Sequence, residues 1–375
     1  MGKSKLFEPI HIGSMELKHR VAMAPLTRFR AGEDHVQLPM AVEYYTQRAC
    51  TPGTFIIAEA TMISPTHGGV PFAPGLWNDA QIEGWKRITE AVHAKDCRIF
   101  CQLFAPGRTA SPAQLQEEGY HELLSSSPVP MPTDSLDSPP NPTPRAMTEE
   151  EIRSCIADFA RAAKNSIAAG FDGVEIHGAN GYLVDQFLQD TCNQRSDSWG
   201  GSVENRARFA IEVATAVSEA IGAERLGWRV SPWSPFQGMC MQDPVPQFSY
   251  LVSKLKELNL GYLHIIESRV INNIDREKSE GIEFLLDIWG KKSPVLVAGG
   301  YTPENCFTAV DEEYKEYEVV VVFGRHFISN PDLVYRIKND VPLNKYDRAT
   351  FYEAGTARGY IDYPFSDGFK SEAKL

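Results

Sequence analysis

Short, nearly unbroken apolar runs alternate along this chain with longer stretches in which apolar residues recur every three or four positions. Runs of the first kind lie at Arg20–Ala24, Thr54–Glu59, Arg98–Phe104, Gly173–His177, Leu226–Ser231, Tyr262–Glu267, Val295–Ala298 and Val319–Phe323. A run such as Val319–Val322 has no polar alternation, which suits a strand buried on both faces in a parallel sheet. Helical periodicity fills most of the intervals. Thr148 with Glu151 forms a capping box that opens a helix reaching about Ala169, and a second helix spans Ser202 to about Ile221. Gly170 and Gly222 stand where helix C-caps belong. Eight strands in strand–helix alternation predict an α/β fold, a (β/α)8 TIM barrel, and fit an open doubly wound sheet less well. No glycine-rich dinucleotide fingerprint follows any strand, which argues against a Rossmann domain.

The whole chain, 1–375, reads as a single barrel domain with two additions. Alternating apolar residues on both sides of Gly13 and Ser14 predict an N-terminal hairpin within residues 1–19 that plugs the barrel floor. Residues 105–147, after the third strand, hold nine of the 25 prolines and many serines. This stretch is either a disordered linker or a partly ordered lid over the active-site end.

Composition narrows the function. The net charge is −12, with no basic stripe for nucleic acid and no polybasic membrane patch. No apolar stretch approaches the ~20 residues of a membrane span. The seven cysteines are scattered, odd in number and without a CxxC pair, as expected for reduced thiols of a cytoplasmic protein. The C-terminal Ala373-Lys374-Leu375 resembles the peroxisomal Ser-Lys-Leu signal and keeps the peroxisome as an alternative address.

In a TIM barrel the active site forms at the C-terminal ends of the strands. Those ends supply Pro25, Leu26, Thr27, Ala60, Gln102, His177, Arg229, Gly299, Gly300, Gly324 and Arg325. The set holds no acidic pair and no cluster with metal-ligand spacing, so glycosidase and metal chemistry are disfavoured and no metal is expected. It also offers no strand-end lysine for a Schiff-base lyase. Glycines after strands seven and eight stand at the common barrel phosphate site, with Arg325 to pair the anion. Flavin mononucleotide fits this set. Arg229 would sit near the N1/O2 edge and favour the anionic reduced ring, Gln102 would meet the pyrimidine edge, and Thr27 would reach O4. Singly each residue has an ordinary explanation: an ion pair, a turn, a helix cap.

The run His177 to Phe187 places His177, Asn180 and Tyr182 where a strand opens into a helix: two hydrogen-bond donors and a phenol. It resembles the substrate-polarising site of the Old Yellow Enzyme family. The resemblance spans nearly the whole chain. It includes Met23–Arg28, Asn193–Asp197, Trp199–Ser202 with Glu204–Arg206, Phe323–Leu333, and Asn344–Arg348 through Gly359–Pro364. It implies tightly held FMN, NADPH or NADH as reductant, and reduction of carbon–carbon double bonds conjugated to carbonyl or nitro groups. This is NAD(P)H dehydrogenase or enoate-reductase activity on a small α,β-unsaturated molecule. It further implies His177 and Asn180 on the substrate oxygen, Tyr182 as proton donor, and Phe351 and Tyr352 along the flavin and substrate pocket.

Three positions depart from the usual pattern of the family. Ala60 replaces a frequent glycine, where the flavin contact is a backbone N–H. Phe104 replaces a frequent tryptophan, and Ile274 lies near a usual pocket phenylalanine, so both enlarge the substrate pocket. Thr27, rather than cysteine, places the chain with the plant and yeast branch. The Pro-rich insertion and opened pocket are compatible with a tailoring step in secondary metabolism, and a homodimer is compatible with the family. Two alternatives stay open: a double-bond isomerase of the same family, where the donor is replaced by phenylalanine, and a non-redox TIM-barrel lyase or isomerase.

Overall fold

The computed structural model describes residues 4–133, 139–271, 274–275 and 277–373, with the backbone alone at 270, 271, 274 and 275. Eight parallel strands close a barrel: β1 (Val21–Met23), β2 (Phe55–Met62), β3 (Arg98–Phe104), β4 (Gly173–His177), β5 (Leu226–Val230), β6 (Tyr262–Ile266), β7 (Val295–Ala298) and β8 (Val319–Phe323). They pair in chain order, and β8 returns to β1 with Phe323 opposite Met23. Each strand is buried on both faces, which is why the sequence shows solid apolar runs. Alternation assigns the faces. On β4, Val174 and Ile176 join the large outer core beneath the helices, so Glu175 and His177 point into the barrel.

The helices start and stop where their caps dictate. In α3 (Glu149–Ala168), Thr148 Oγ1 accepts from the Glu151 N–H at 3.2 Å, and Glu151 Oε2 accepts from the Thr148 N–H at 2.7 Å. α5 (Val203–Ile221) begins on Ser202 and ends at Gly222, whose φ of 92° lies in the left-handed region. Between them α4 (Leu183–Leu188) is only six residues long. The expected alternation fails after β7. There the connection is a three-residue helix, Cys306–Thr308, followed by a π turn, Ala309–Glu313. Thr27 caps no helix: residues 24–30 have no regular structure, and the next helices, α1 (Met40–Arg48) and α2 (Asp79–His93), begin well downstream.

At the N-terminal end of the barrel, Ile10–Ile12 pairs antiparallel with Met15–Leu17. Ile10, Ile12 and Leu17 pack in one buried cluster with the inward side chains Phe55, Phe100, Tyr262, Leu296 and Val320. The insertion after β3 forms a short turn at Gly107–Thr109, a helix at Pro112–Glu117, and a two-residue strand pair, Leu124–Ser125 with Arg145–Ala146. Residues 134–138 of that insertion lie outside the described residues.

β2 runs three residues beyond the expected Glu59, and it does so through a bulge. Ala58 pairs with Cys101 and Thr61 with Leu103, so Glu59 and Ala60 together stand opposite Gln102.

Candidate active site

The inward positions divide the barrel interior. β7, β8, β1 and β2 contribute small or branched apolar side chains: Ala298, Val322, Ala24 and Ile57. β3 to β6 contribute a buried polar layer: Gln102, Glu175, His177, Arg229 and His264. Strand register stacks these groups side by side, with Gln102 opposite Glu175, His177 opposite Arg229, and His264 opposite Arg229. Glu175 Oε1 accepts from Gln102 Nε2 at 2.7 Å. Its Oε2 accepts from Tyr262 Oη at 3.0 Å and meets His264 Nδ1 at 2.8 Å. Burial pushes the Glu175 carboxyl up, but His264, Arg229 and the Gln102 hydrogen bond pull it further down, leaving it below the usual carboxylate range. Because Gln102 spends an N–H on Glu175, its carbonyl is free to face the cavity.

That cavity, of about 690 Å3, opens at the C-terminal ends of the strands. It gathers Pro25, Leu26, Thr27, Ala60, Gln102, Phe104, His177, Asn180, Tyr182, Arg229, Gly299, Gly300, Gly324, Arg325, Phe351 and Tyr352, the residues singled out in the sequence. Ile274 is the exception, because its side chain lies outside the described residues. Of the insertion at 105–147, Thr109 alone among the described residues lines the cavity.

Tyr182 is the N-cap residue of α4. Its ring lies 4.9 Å from the His177 ring and 5.2 Å, edge-on, from Phe104. Asn180 just before it has φ of 57°, and its N–H donates to Ser231 Oγ at 2.9 Å. Burial, followed by the charges of Arg229 and His264, holds the His177 imidazole well below its usual range, so the ring is neutral and offers one N–H. Burial raises the Tyr182 phenol above its usual value and keeps it protonated. Among the described residues, three buried polar atoms of the cavity lining have no partner: His177 Nδ1, Arg229 Nε and Gln237 Oε1.

The far end of the cavity has the features an anion needs. Gly299 and Gly300 take φ of 119° and 66°, and a Cβ on Gly299 would lie 3.3 Å from the Glu267 carbonyl. Arg325 and Arg348 each lie over the Tyr346 ring, at 5.6 and 5.5 Å, and Arg325 Nη1 also donates to the Tyr346 hydroxyl at 3.2 Å. Arg348, Tyr301, Ile266, Phe29, Phe236 and Gln237 are lining residues that sequence reasoning missed. Arg348 belongs to a matched motif, a signal that was present. Phe29 and Gln237 line the cavity from loops and have φ of 55° and 58°, which no residue pattern encodes.

Glycines and arginines at one end, a buried arginine with Nε unpartnered at mid-cavity and an acceptor carbonyl on Gln102 fit an FMN. Comparison with known proteins agrees. Residues 5–344 match the model of the NADH:flavin oxidoreductase / NADH oxidase family. The chain belongs to this family, the Old Yellow Enzyme family. It is 54% identical over 367 residues to a chanoclavine-I aldehyde reductase of Penicillium roqueforti, covering 98% of each chain. It is 51% identical over 370 residues to an aldehyde reductase of Cladobotryum sp, covering 98% of this chain and 96% of that one. The solved old yellow enzyme homologue of Zymomonas mobilis superposes with a TM-score of 0.88 at 37% identity, covering 96% of this chain and 99% of that chain. This member of the family is therefore an FMN-dependent oxidoreductase with NAD(P)H as reductant. Among the described residues no helix is long and apolar enough to cross a membrane, and no group of acidic, histidine and cysteine side chains has the arrangement of a metal site. Lys374 and Leu375 of the C-terminal tripeptide lie outside the described residues.

Proposed function

We propose that the enzyme reduces carbon–carbon double bonds conjugated to a carbonyl or nitro group, with α,β-unsaturated aldehydes and ketones as its substrate class. The observation that carries this reading is the pairing of a neutral His177 with a protonated Tyr182 at 4.9 Å, over the same cavity that Arg229 and Gln102 line. The aldehyde reductases among its relatives support the choice of carbonyl substrates.

When bound, FMN would supply hydride drawn from NAD(P)H. The chain's own residues do the rest. Thr27, Ala60, Gln102 and Arg229 would hold the isoalloxazine, and Gly300, Gly324 and Arg325 would hold the phosphate. His177 and Asn180 bind the substrate oxygen as hydrogen-bond donors and stabilise the negative charge that grows there, an interaction worth ~3–4 kcal/mol per donor. Phe104, Ile274, Phe351 and Tyr352 shape the room around the double bond. Tyr182 then delivers its proton to the α-carbon. A phenol pushed upward by burial remains protonated at neutral pH, as a general acid must. Tyr182 favours net reduction over isomerisation, which returns the hydride and needs no external proton.

The test separates the two half-reactions. In anaerobic stopped-flow, Tyr182→Phe should bleach with NADPH at the parental rate. Its reoxidation by 2-cyclohexenone should slow on the order of 10²–10⁴-fold, the usual contribution of a positioned acid. Reoxidation at the parental rate would remove Tyr182 from this role.

A further inference from the structure

The turn carrying Asn180 and Tyr182 is held from behind, by three fully buried polar side chains that do not line the cavity: Asp185, Gln186 and Gln189. Asp185 Oδ2 accepts from the Gly181 N–H at 2.9 Å, and its Oδ1 accepts from Gln189 Nε2 at 2.7 Å. Gln189 Oε1 in turn accepts from the Cys240 and Met241 N–H groups at 2.8 and 3.2 Å. Gln186 Nε2 donates to the Gly181 and Pro106 carbonyls at 2.7 and 3.0 Å, and its Oε1 accepts from the Arg108 N–H at 3.1 Å. One buried cluster thus ties the turn to the segment after β3 and to the loop after β5.

The turn needs such a tie. Asn180 and Gly181 are consecutive left-handed residues, with φ of 57° and 76°. A non-glycine residue in that region costs ~1–2 kcal/mol and persists only where its surroundings over-determine it.

The hydrogen bonds also fix a protonation state. Gln189 cannot flip, because its oxygen is committed to two backbone donors. Both oxygens of Asp185 therefore face donors. A proton on either oxygen would meet an N–H, and one of the two bonds would be lost, at a cost of ~1–3 kcal/mol for a buried group left unpaired.

We propose that Asp185 is a positioning residue for the proton donor: its ionised carboxylate, braced by Gln189 against the 240–241 loop, locks the Asn180–Tyr182 turn. The proposal rests on the reading of Tyr182 as the acid. Burial pushes the Asp185 carboxyl up to about 7, opposed by the hydrogen bonds from Gln189 and Gly181 and by the charge of Arg108. Arg108 is the charged group acting on it among the described residues. The turn presents a backbone N–H, and the stretch after α4 presents the neutral Gln189 amide. The lock therefore closes as pH rises through neutrality.

The experiment uses the flavin-loaded full chain and measures each half-reaction against pH. In the parent, reoxidation by 2-cyclohexenone should slow as pH falls through about 7, while reduction by NADPH should not follow that profile. Neither Tyr182, raised above its usual range, nor His177, held far below it, titrates there. Asp185→Asn replaces one of two acceptors by a donor. It should slow reoxidation about tenfold at pH 8, the equivalent of one weakened hydrogen bond, and lose the inflection. Reoxidation of D185N with the parental rate and profile would overturn the proposal. Should D185N not fold, Gln189→Met removes a donor that lowers the Asp185 pKa, so the inflection should move upward; an inflection left in place would overturn it equally. If Tyr182→Phe reoxidises normally, the reading of Tyr182 has failed. If Y182F is slow and D185N is not, only the lock has failed.

Discussion

Two buried arginines of the same barrel, Arg28 in the segment after β1 and Arg229 on β5, are treated in opposite ways. Arg28 gives Nε to the Phe351 carbonyl at 3.1 Å, Nη1 to the Tyr44 hydroxyl at 3.3 Å and Nη2 to the Gly359 carbonyl at 2.7 Å. Its guanidinium also lies near the faces of Tyr44 and Tyr360, which stack on one another at 4.0 Å. Arg229 lines the cavity with its Nε unpartnered and relies on the charge of Glu175. The histidines repeat the contrast. His19, near the barrel floor, meets Thr54 Oγ1 at 3.2 Å and accepts the Val21 N–H at 3.2 Å, whereas His177 at the mouth leaves Nδ1 without a partner. A buried cation or imidazole is tolerated when its polar atoms are satisfied, and one left unfinished carries a desolvation debt. Finished groups build the fold. Unfinished ones mark where binding free energy is held in reserve.

The contrast can be broken experimentally. The largest effect should come from His177→Leu. Removing one donor to the substrate oxygen should lower enone turnover about 10²–10³-fold, with the melting temperature of the apoprotein unchanged or raised. A clear loss of stability would place His177 with the finished groups. Next are paired arginine variants. Arg28→Met strands carbonyls of the C-terminal segment and should cost about 3 kcal/mol in denaturant titration. Arg229→Met should weaken FMN binding and cost the apoprotein less than Arg28→Met does, since it strands no hydrogen-bonded carbonyl and Glu175 keeps its bonds to Gln102, Tyr262 and His264. Equal destabilisation by both would dissolve the distinction. The smallest effect concerns pH. Burial lowers His19 from about 6.5 to about 4. Between those values the unfolded chain binds the proton and the folded one does not, so stability is lost as pH falls through that window, by ~3 kcal/mol. His19→Gln should flatten this slope in pH-dependent melting. An unchanged slope would assign it to other groups.

Much of this was legible in the residues. The eight strands showed themselves because burial on both faces removes polar alternation, and the strand-end residues followed from the barrel rule. What stayed hidden was what those residues lean on. Arg28 closes a recognisable motif and Arg30 follows it, yet an arginine in sequence gives no sign that it is buried under aromatic rings and bonded to carbonyls some 320 positions away. Asp185 and Gln189 carry no pattern that marks them, and only the fold brings the Gly181 N–H and the 240–241 loop to meet them. Local pattern reports which way a side chain points relative to its own element. It does not report what another element brings to meet it.

The bulge in β2 carries a consequence of its own. By setting two residues against Gln102, it turns the Glu59 side chain towards Gln37 and the Arg28 N–H while Ala60 borders the cavity. On the proposed reading the strand would meet the flavin with main chain and its neighbours with a carboxylate. A contact written in peptide groups would be insulated from substitution, with the side chain at 60 drifting among small residues without altering what the cofactor encounters. The positions free to diversify this catalyst are then Phe104, which packs in one cluster with Ala60, and Phe236 and Tyr352 elsewhere in the lining, where side chains would meet the substrate.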